Sequence, residues 1–243
     1  MRKWSFLSAL AVTLLLPVSP AFADIFDFGD SAIYWPGYEA TNDTYGPDNL
    51  RDEIGEPQVS AVQIDRDAAG IKSIGFFGKG YSFPLLKPGD LFLDVGPLGT
   101  PAWSYVVSLG ENSLPGNYPV LQVSIPLNEA GAYKMTGNDN TSPWAGYDIR
   151  NQHPYALANP ADPSYVPGGT ASFSGFVENG YTTFSFPSPI PVTGDFIIGW
   201  TVNCANDVIY ELDSIPVVPE PATMLLLGSG LVVLVGLRKK LRK

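Results

Sequence analysis

ASFSGFVENGYTTFSF, residues 171–186, carries the signal that decides the fold. Asn179-Gly180 stands between two apolar, aromatic-rich runs, residues 173–177 and 181–186. Both residues of that pair tolerate positive φ, so the stretch reads as a β-hairpin closed by a two-residue turn. The same period of two recurs on either side. Leu91, Leu93 and Val95 alternate with Asp90, Phe92 and Asp94, and Tyr105, Val107 and Leu109 alternate with Ser104, Val106 and Ser108. Phe196, Ile198, Trp200 and Val202 alternate with Asp195, Ile197, Gly199 and Thr201. Side chains two apart share one face of a strand, so each run offers one face to a core.

Further strand candidates are residues 59–65, 71–77, 118–125 and 207–212, which brings the expectation to about nine strands. Between them stand turn clusters: Gly78-Lys79-Gly80, Lys87-Pro88-Gly89, Gly96-Pro97-Leu98-Gly99 and Pro115-Gly116-Asn117. No long amphipathic helix interrupts the series. Short strands at such spacing predict an all-β antiparallel β-sandwich or jelly roll. Two stretches, residues 38–56 and 143–169, are rich in Pro, Asn, Asp and Gly and too long for tight turns. They read as long loops at the ends of a sandwich, where binding often occurs, or as surface decoration.

The two ends follow other rules. Residues 1–23 have the three parts of a secretory signal peptide: Arg2 and Lys3, an apolar run over residues 4–16, and a close in Ala21-Phe22-Ala23. Small side chains at Ala21 and Ala23 suit signal peptidase, so the mature chain is expected to begin at Asp24. The apolar run is shorter than the roughly 17 to 25 residues of a spanning helix, which argues against a permanent anchor.

Residues 222–237 form an uncharged run rich in Leu, Val and Gly. As a helix it would cover about 24 Å, short of the roughly 30 Å hydrocarbon core, and would span only with its flanking cations reaching the interface. Arg238, Lys239, Lys240, Arg242 and Lys243 follow directly, which places the tail in the cytoplasm and the body outside. Before the run stands Val218-Pro219-Glu220-Pro221. Two prolines flanking Glu220 hold the backbone extended and remove amide donors, so the segment stays open to an enzyme groove.

Val-Pro-Glu-Pro, a span of minimal length and a terminal Arg/Lys cluster together resemble the PEP-CTERM sorting domain of Gram-negative bacteria. The resemblance covers residues 218–243. It implies that an exosortase, a membrane-embedded cysteine transpeptidase, reads Pro219, Glu220 and Pro221 and releases or transfers the protein to the outside. These are substrate residues. The resemblance also implies an association with exopolysaccharide and biofilm or floc formation. The expected organisation is therefore a signal peptide (1–23), a β-rich extracytoplasmic domain (24–215), a Pro-rich linker with the PEP motif (216–221), a transmembrane helix (222–237) and a basic cytoplasmic tail (238–243).

Residues 24–221 hold all 24 acidic residues and only 7 basic ones, a net of −17. Such a surface repels nucleic acid and anionic headgroups, keeps an exported domain soluble, and can attract divalent cations. Cys204 is the only cysteine, so no internal disulfide staples the domain. Its stability must come from packing.

Residues equipped for chemistry are few. His153 is the only histidine, which excludes zinc sites needing two imidazoles. Cys204 and His153, with Asn203 or Asn206 orienting the ring, supply the residue types of a cysteine nucleophile, although a buried thiol and a loop histidine account for them as well. Two carboxylate pairs, Asp90 with Asp94 and Asp65 with Asp67, satisfy the residue types of a glycosidase without the spacing to separate that role from ordinary strand charges. Asp43, Asp48 and Asp52, with Glu53 beside them, offer hard oxygen ligands for calcium without EF-hand spacing. Trp35, Tyr38, Tyr45, Trp103, Trp144, Tyr147, Tyr155 and Tyr165 stand mostly in or beside loops, where rings can stack on sugars or seal the ends of a sandwich.

The leading expectation is a non-enzymatic surface or matrix protein with no resident cofactor. Signal peptidase, an exosortase and, transiently, the inner membrane are its partners, extracellular polysaccharide is a candidate one, and nucleic acid is not. It passes through the periplasm to the cell surface or extracellular matrix. A polysaccharide- or calcium-binding module and an exported hydrolase are the alternatives.

Overall fold

The computed structural model describes residues 22–27, 58–80, 86–96, 102–110, 112–127, 129–135, 154–192, 194–203 and 208–213. Twelve strands lie in this set: β1 (Phe22–Asp27), β2 (Gln58–Asp67), β3 (Gly70–Lys79), β4 (Leu91–Asp94), β5 (Ala102–Val107), β6 (Gly116–Pro126), β7 (Tyr133–Met135), β8 (Pro154–Leu157), β9 (Val166–Phe173), β10 (Gly180–Ile190), β11 (Phe196–Thr201) and β12 (Val208–Asp213). A 3₁₀ turn, Ala130–Ala132, precedes β7. All strand pairs are antiparallel.

Ten strands form one sheet in the order β1-β2-β3-β10-β9-β6-β5-β4-β11-β12, and β7 and β8 pair separately. The eight inner strands of the sheet carry the core: Val62 and Ile64, Ile74 and Phe76, Leu91 and Leu93, Val107, Val120, Ala171 and Phe173, Phe184 and Phe186, Phe196, Ile198 and Trp200. β3 and β11 are six steps apart in sheet order. On a flat sheet they would lie about 29 Å apart. Yet the rings of Phe76 and Trp200 stack with centroids 4.5 Å apart, and Phe184 meets Trp200 edge-on at 6.1 Å. The sheet is therefore rolled so that its two halves face each other. The all-β antiparallel expectation holds, while the two separate sheets of a sandwich give way to one sheet folded over its own apolar face.

Local sequence explains how the roll is built. In β2, Val59 and Val62 both reach the core because the register shifts between Val59 and Ala61; the bulge changes which face the chain presents. The β2–β3 turn is held by Asp67, whose Oδ1 accepts the Ala69 amide at 2.8 Å. The β9–β10 connection differs from a two-residue hairpin. Of the Asn179-Gly180 pair only Asn179 takes positive φ (52°), with Gly175 (76°) a second such position in the connection, and Gly180 already heads β10. The ladder closes at Phe184 opposite Phe173, with Ser174 N donating to Thr183 O beyond it. Residues between them loop out, tied by Val177 N to Thr182 Oγ1 at 3.1 Å.

β4 and β11 are buried along their whole length rather than alternately. Their second face meets a satellite cluster of Phe92, Trp103, Val106, Ile125, Leu127, Tyr133, Leu157 and Ile197. The cover comes from the 3₁₀ turn and β7–β8, so the stretch 143–169 is not one long loop: residues 154–157 form β8 and Val166 begins β9. The strand β1 was not expected either, since Phe22 and Ala23 also belong to the predicted signal peptide. The rest of that peptide and the predicted helix 222–237 lie outside the described residues. Among the described residues, no helix is long and apolar enough to cross a membrane.

Candidate functional site

Asp90 is the best-built polar position of the body. It sits at the start of β4 with 2% of its surface exposed. Oδ1 accepts the Leu109 amide at 2.7 Å and Oδ2 accepts the Leu157 amide at 2.8 Å. Its own amide donates to Tyr155 O at 2.9 Å. Gly89, just before it, is required by space, because a Cβ there would stand 2.2 Å from Tyr155 O and 2.8 Å from Thr201 O. One carboxylate thus joins the end of β5, the start of β4 and the covering strand β8. Burial pushes its pKa from 3.8 to about 6, against the downward pull of amides from Leu157, Leu109 and Gly110 and of the Lys134 charge.

Asp94, at the other end of β4, is equally buried. Its Oδ1 accepts from Gly96 N at 2.9 Å and Ser104 Oγ at 3.3 Å, and its Oδ2 from Ala102 N at 3.2 Å. Each carboxylate of the Asp90/Asp94 pair is bound by backbone amides, which leaves little access for a sugar or a catalytic water. The second pair is partly exposed beside a cation: Lys72 Nζ lies 3.2 Å from the buried Asp65 Oδ1 and 3.7 Å from Asp67 Oδ2. The first pair is thus held by backbone amides and the second lies beside Lys72.

The aromatic set divides. Trp103 is fully buried in β5, which leaves its ring no open face for a sugar, and its Nε1 donates to Tyr133 Oη at 2.8 Å. Tyr155 and Tyr165 are half-buried, and Tyr165 packs against the satellite cluster. Trp35, Tyr38, Tyr45, Trp144 and Tyr147 lie outside the described residues, as do the calcium candidates Asp43, Asp48 and Asp52 and the His153 and Cys204 pair. Among the described residues, no group of three His, Cys, Asp or Glu side chains could hold a metal ion. The role of Asp90 was not anticipated by sequence, and its local signal is the Gly-Asp pair entering an apolar run.

The processing residues have their own placement. Ala23 pairs with Asp65 in the β1–β2 ladder, so the expected cut before Asp24 falls inside β1 and leaves Asp24, Ile25, Phe26 and Asp27 opposite Ile64, Gln63, Val62 and Ala61. Ala21, Pro219, Glu220 and Pro221 are outside the described residues. The identity of the tail is decided by comparison with known families, where residues 217–242 match the model of the PEP-CTERM protein-sorting motif. The chain carries a PEP-CTERM sorting motif. This motif makes the chain an exported protein, recognised by an exosortase and processed at the membrane. It covers the tail alone, and no curated protein and no solved structure matches the chain. The chemistry of the body rests on its own residues.

Proposed function

We propose that this protein is a non-enzymatic component of the cell surface or exopolysaccharide matrix, in which the rolled β-sheet is the delivered body and the PEP-CTERM segment the removable address. The motif at residues 217–242 carries this reading. Signal peptidase cuts after Ala23, the apolar run 222–237 holds the chain briefly in the inner membrane with its basic tail inside, and an exosortase acts at Pro219-Glu220-Pro221. The body's own chemistry supports a structural role. Its buried carboxylates at Asp90 and Asp94 are consumed by backbone amides, and an acidic surface keeps it soluble once released.

Fractionation of the native host tests the proposal. Wild-type protein is expected outside the inner membrane in a form lacking residues 222–243, while Glu220→Ala accumulates at full length in that membrane. Full-length wild-type protein resident in the inner membrane overturns the sorting reading. Turnover of a polysaccharide by the purified body overturns the non-enzymatic one.

A further inference from the structure

The bond that signal peptidase is expected to cut, between Ala23 and Asp24, lies inside a β-ladder. Phe22 stands opposite Arg66, Ala23 opposite Asp65 and Asp24 opposite Ile64. Removal of residues 1–23 takes away the first two pairs of β1 and leaves four, Asp24 to Asp27 against Ile64 to Ala61. It also changes the charge at the strand end. A neutral peptide nitrogen becomes an α-amino group, which is mostly protonated at pH 7.

β2 presents a carboxylate at that place. Ile64 belongs to the core, and alternation along the strand puts its neighbour Asp65 on the outer face of the sheet, where the Asp65 side chain is 31% exposed. One of its oxygens, Oδ1, is nevertheless buried and accepts no hydrogen bond. Lys72 Nζ, from β3, lies 3.2 Å from that oxygen and 3.7 Å from Asp67 Oδ2. One lysine thus serves two carboxylates.

We infer that the α-ammonium group created at Asp24 pairs with the Asp65 carboxylate, so that removal of the signal peptide supplies the charge that holds the shortened β1 in place. The inference rests on the cut after Ala23 proposed above. Opposed Cα atoms in an antiparallel ladder are about 4.5–5.5 Å apart, and the nitrogen of Asp24 is two covalent bonds from the Cα of Ala23. An aspartate side chain covers most of that distance, so the new charge arrives within ion-pair reach of Asp65. No residue of β1 then remains opposite Asp65, and Lys72 is left to Asp67. Arg66 and Lys72 disfavour a further cation at this end of β2 and β3, while Asp65 and Asp67 favour it. Asp65 is the one whose partner the cut removes.

The test uses protein exported by the native host, with its first residue identified by mass spectrometry. The α-amine is acylated at neutral pH with a limiting amine-reactive ester, and its rate is read from the N-terminal peptide. Only the neutral amine attacks, so an amine held as a cation by a carboxylate reacts slowly. Asp65→Asn is expected to speed the reaction about threefold, an effect the size of one exposed ion pair. Lys72→Met, which leaves Asp65 without that lysine, is expected to slow it. The opposite directions separate pairing from a general loosening of β1, which would speed both. Equal rates in wild type and Asp65→Asn, or a rate in Lys72→Met no slower than wild type, overturn the pairing alone. A recovered wild-type chain that does not begin at Asp24 overturns the pairing together with the cut it rests on.

Discussion

Two fully buried tryptophans organise the body, and they do different work. Trp200 lies inside the roll, stacked on Phe76 and edge-on to Phe184, with its Nε1 donating to Gly89 O at 3.2 Å. Trp103 lies on the opposite face of the sheet, against Phe92, with its Nε1 on Tyr133 Oη. The first joins strands six steps apart and makes a curved sheet into a closed core. The second fastens a small cover onto strands that are already in place. A single sheet thus stabilises itself twice, once by rolling and once by being roofed.

Trp200→Ala should break this comparison most visibly. Truncating a buried tryptophan costs about 3–5 kcal/mol, and here the loss falls on the contact that closes the roll. Chemical denaturation should show a cooperative loss of that size for the whole body. A loss under about 1 kcal/mol would mean that Trp200 is not what holds the two halves together.

Asp90 links the two regions and gives the next effect. Its folded pKa of about 6 lies above the ordinary 3.8, so the folded state holds this proton more tightly than the unfolded chain. Its contribution is most favourable below pH 3.8 and is lost as pH rises through about 6, a change on the order of 3 kcal/mol. Denaturation midpoints of wild type and Asp90→Asn between pH 4 and pH 7.5 would check this. The part of the wild-type slope due to Asp90 should vanish in the variant, and parallel curves would refute the assignment.

Tyr133→Phe sharpens the other side of the comparison with a smaller loss. It removes the acceptor of the buried Trp103 Nε1, a cost of about 1–3 kcal/mol. Hydrogen exchange should rise in β7 and β8 while the amides of β3 and β10 stay protected. Uniform loosening of both regions would show that roof and roll are one cooperative unit.

How much of this could be read from the chain differs by region. The strands of the roll were legible because alternation is local: Phe196, Ile198 and Trp200 announce an inward face without any partner. That Ile197 and Phe92 are covered too was not legible, since it depends on Tyr133 and Leu157, which come from elsewhere in the chain. Spacing alone left Asp90 and Asp94 open between a glycosidase pair and ordinary strand charges, and the partners of Asp90 are distant in sequence. Those amide partners are Leu109 and Leu157, 19 and 67 residues away from Asp90. β1 was hidden because Phe22 and Ala23, read from the sequence as the close of a signal peptide, open a strand in the fold. The sorting motif of the tail was legible, because Val218-Pro219-Glu220-Pro221, a short apolar run and a cationic end are contiguous. A motif read by another enzyme has to be local, whereas a site built by folding does not.

The central claim, that the body is the product and both hydrophobic ends are removed, is tested most directly by intact-mass spectrometry of the protein recovered from outside the inner membrane of its native host. The account predicts a chain that begins at Asp24 and ends within or before Pro219-Glu220-Pro221, carrying at most an attached group at its new C-terminus. A recovered chain that still ends in Arg242-Lys243 would contradict it.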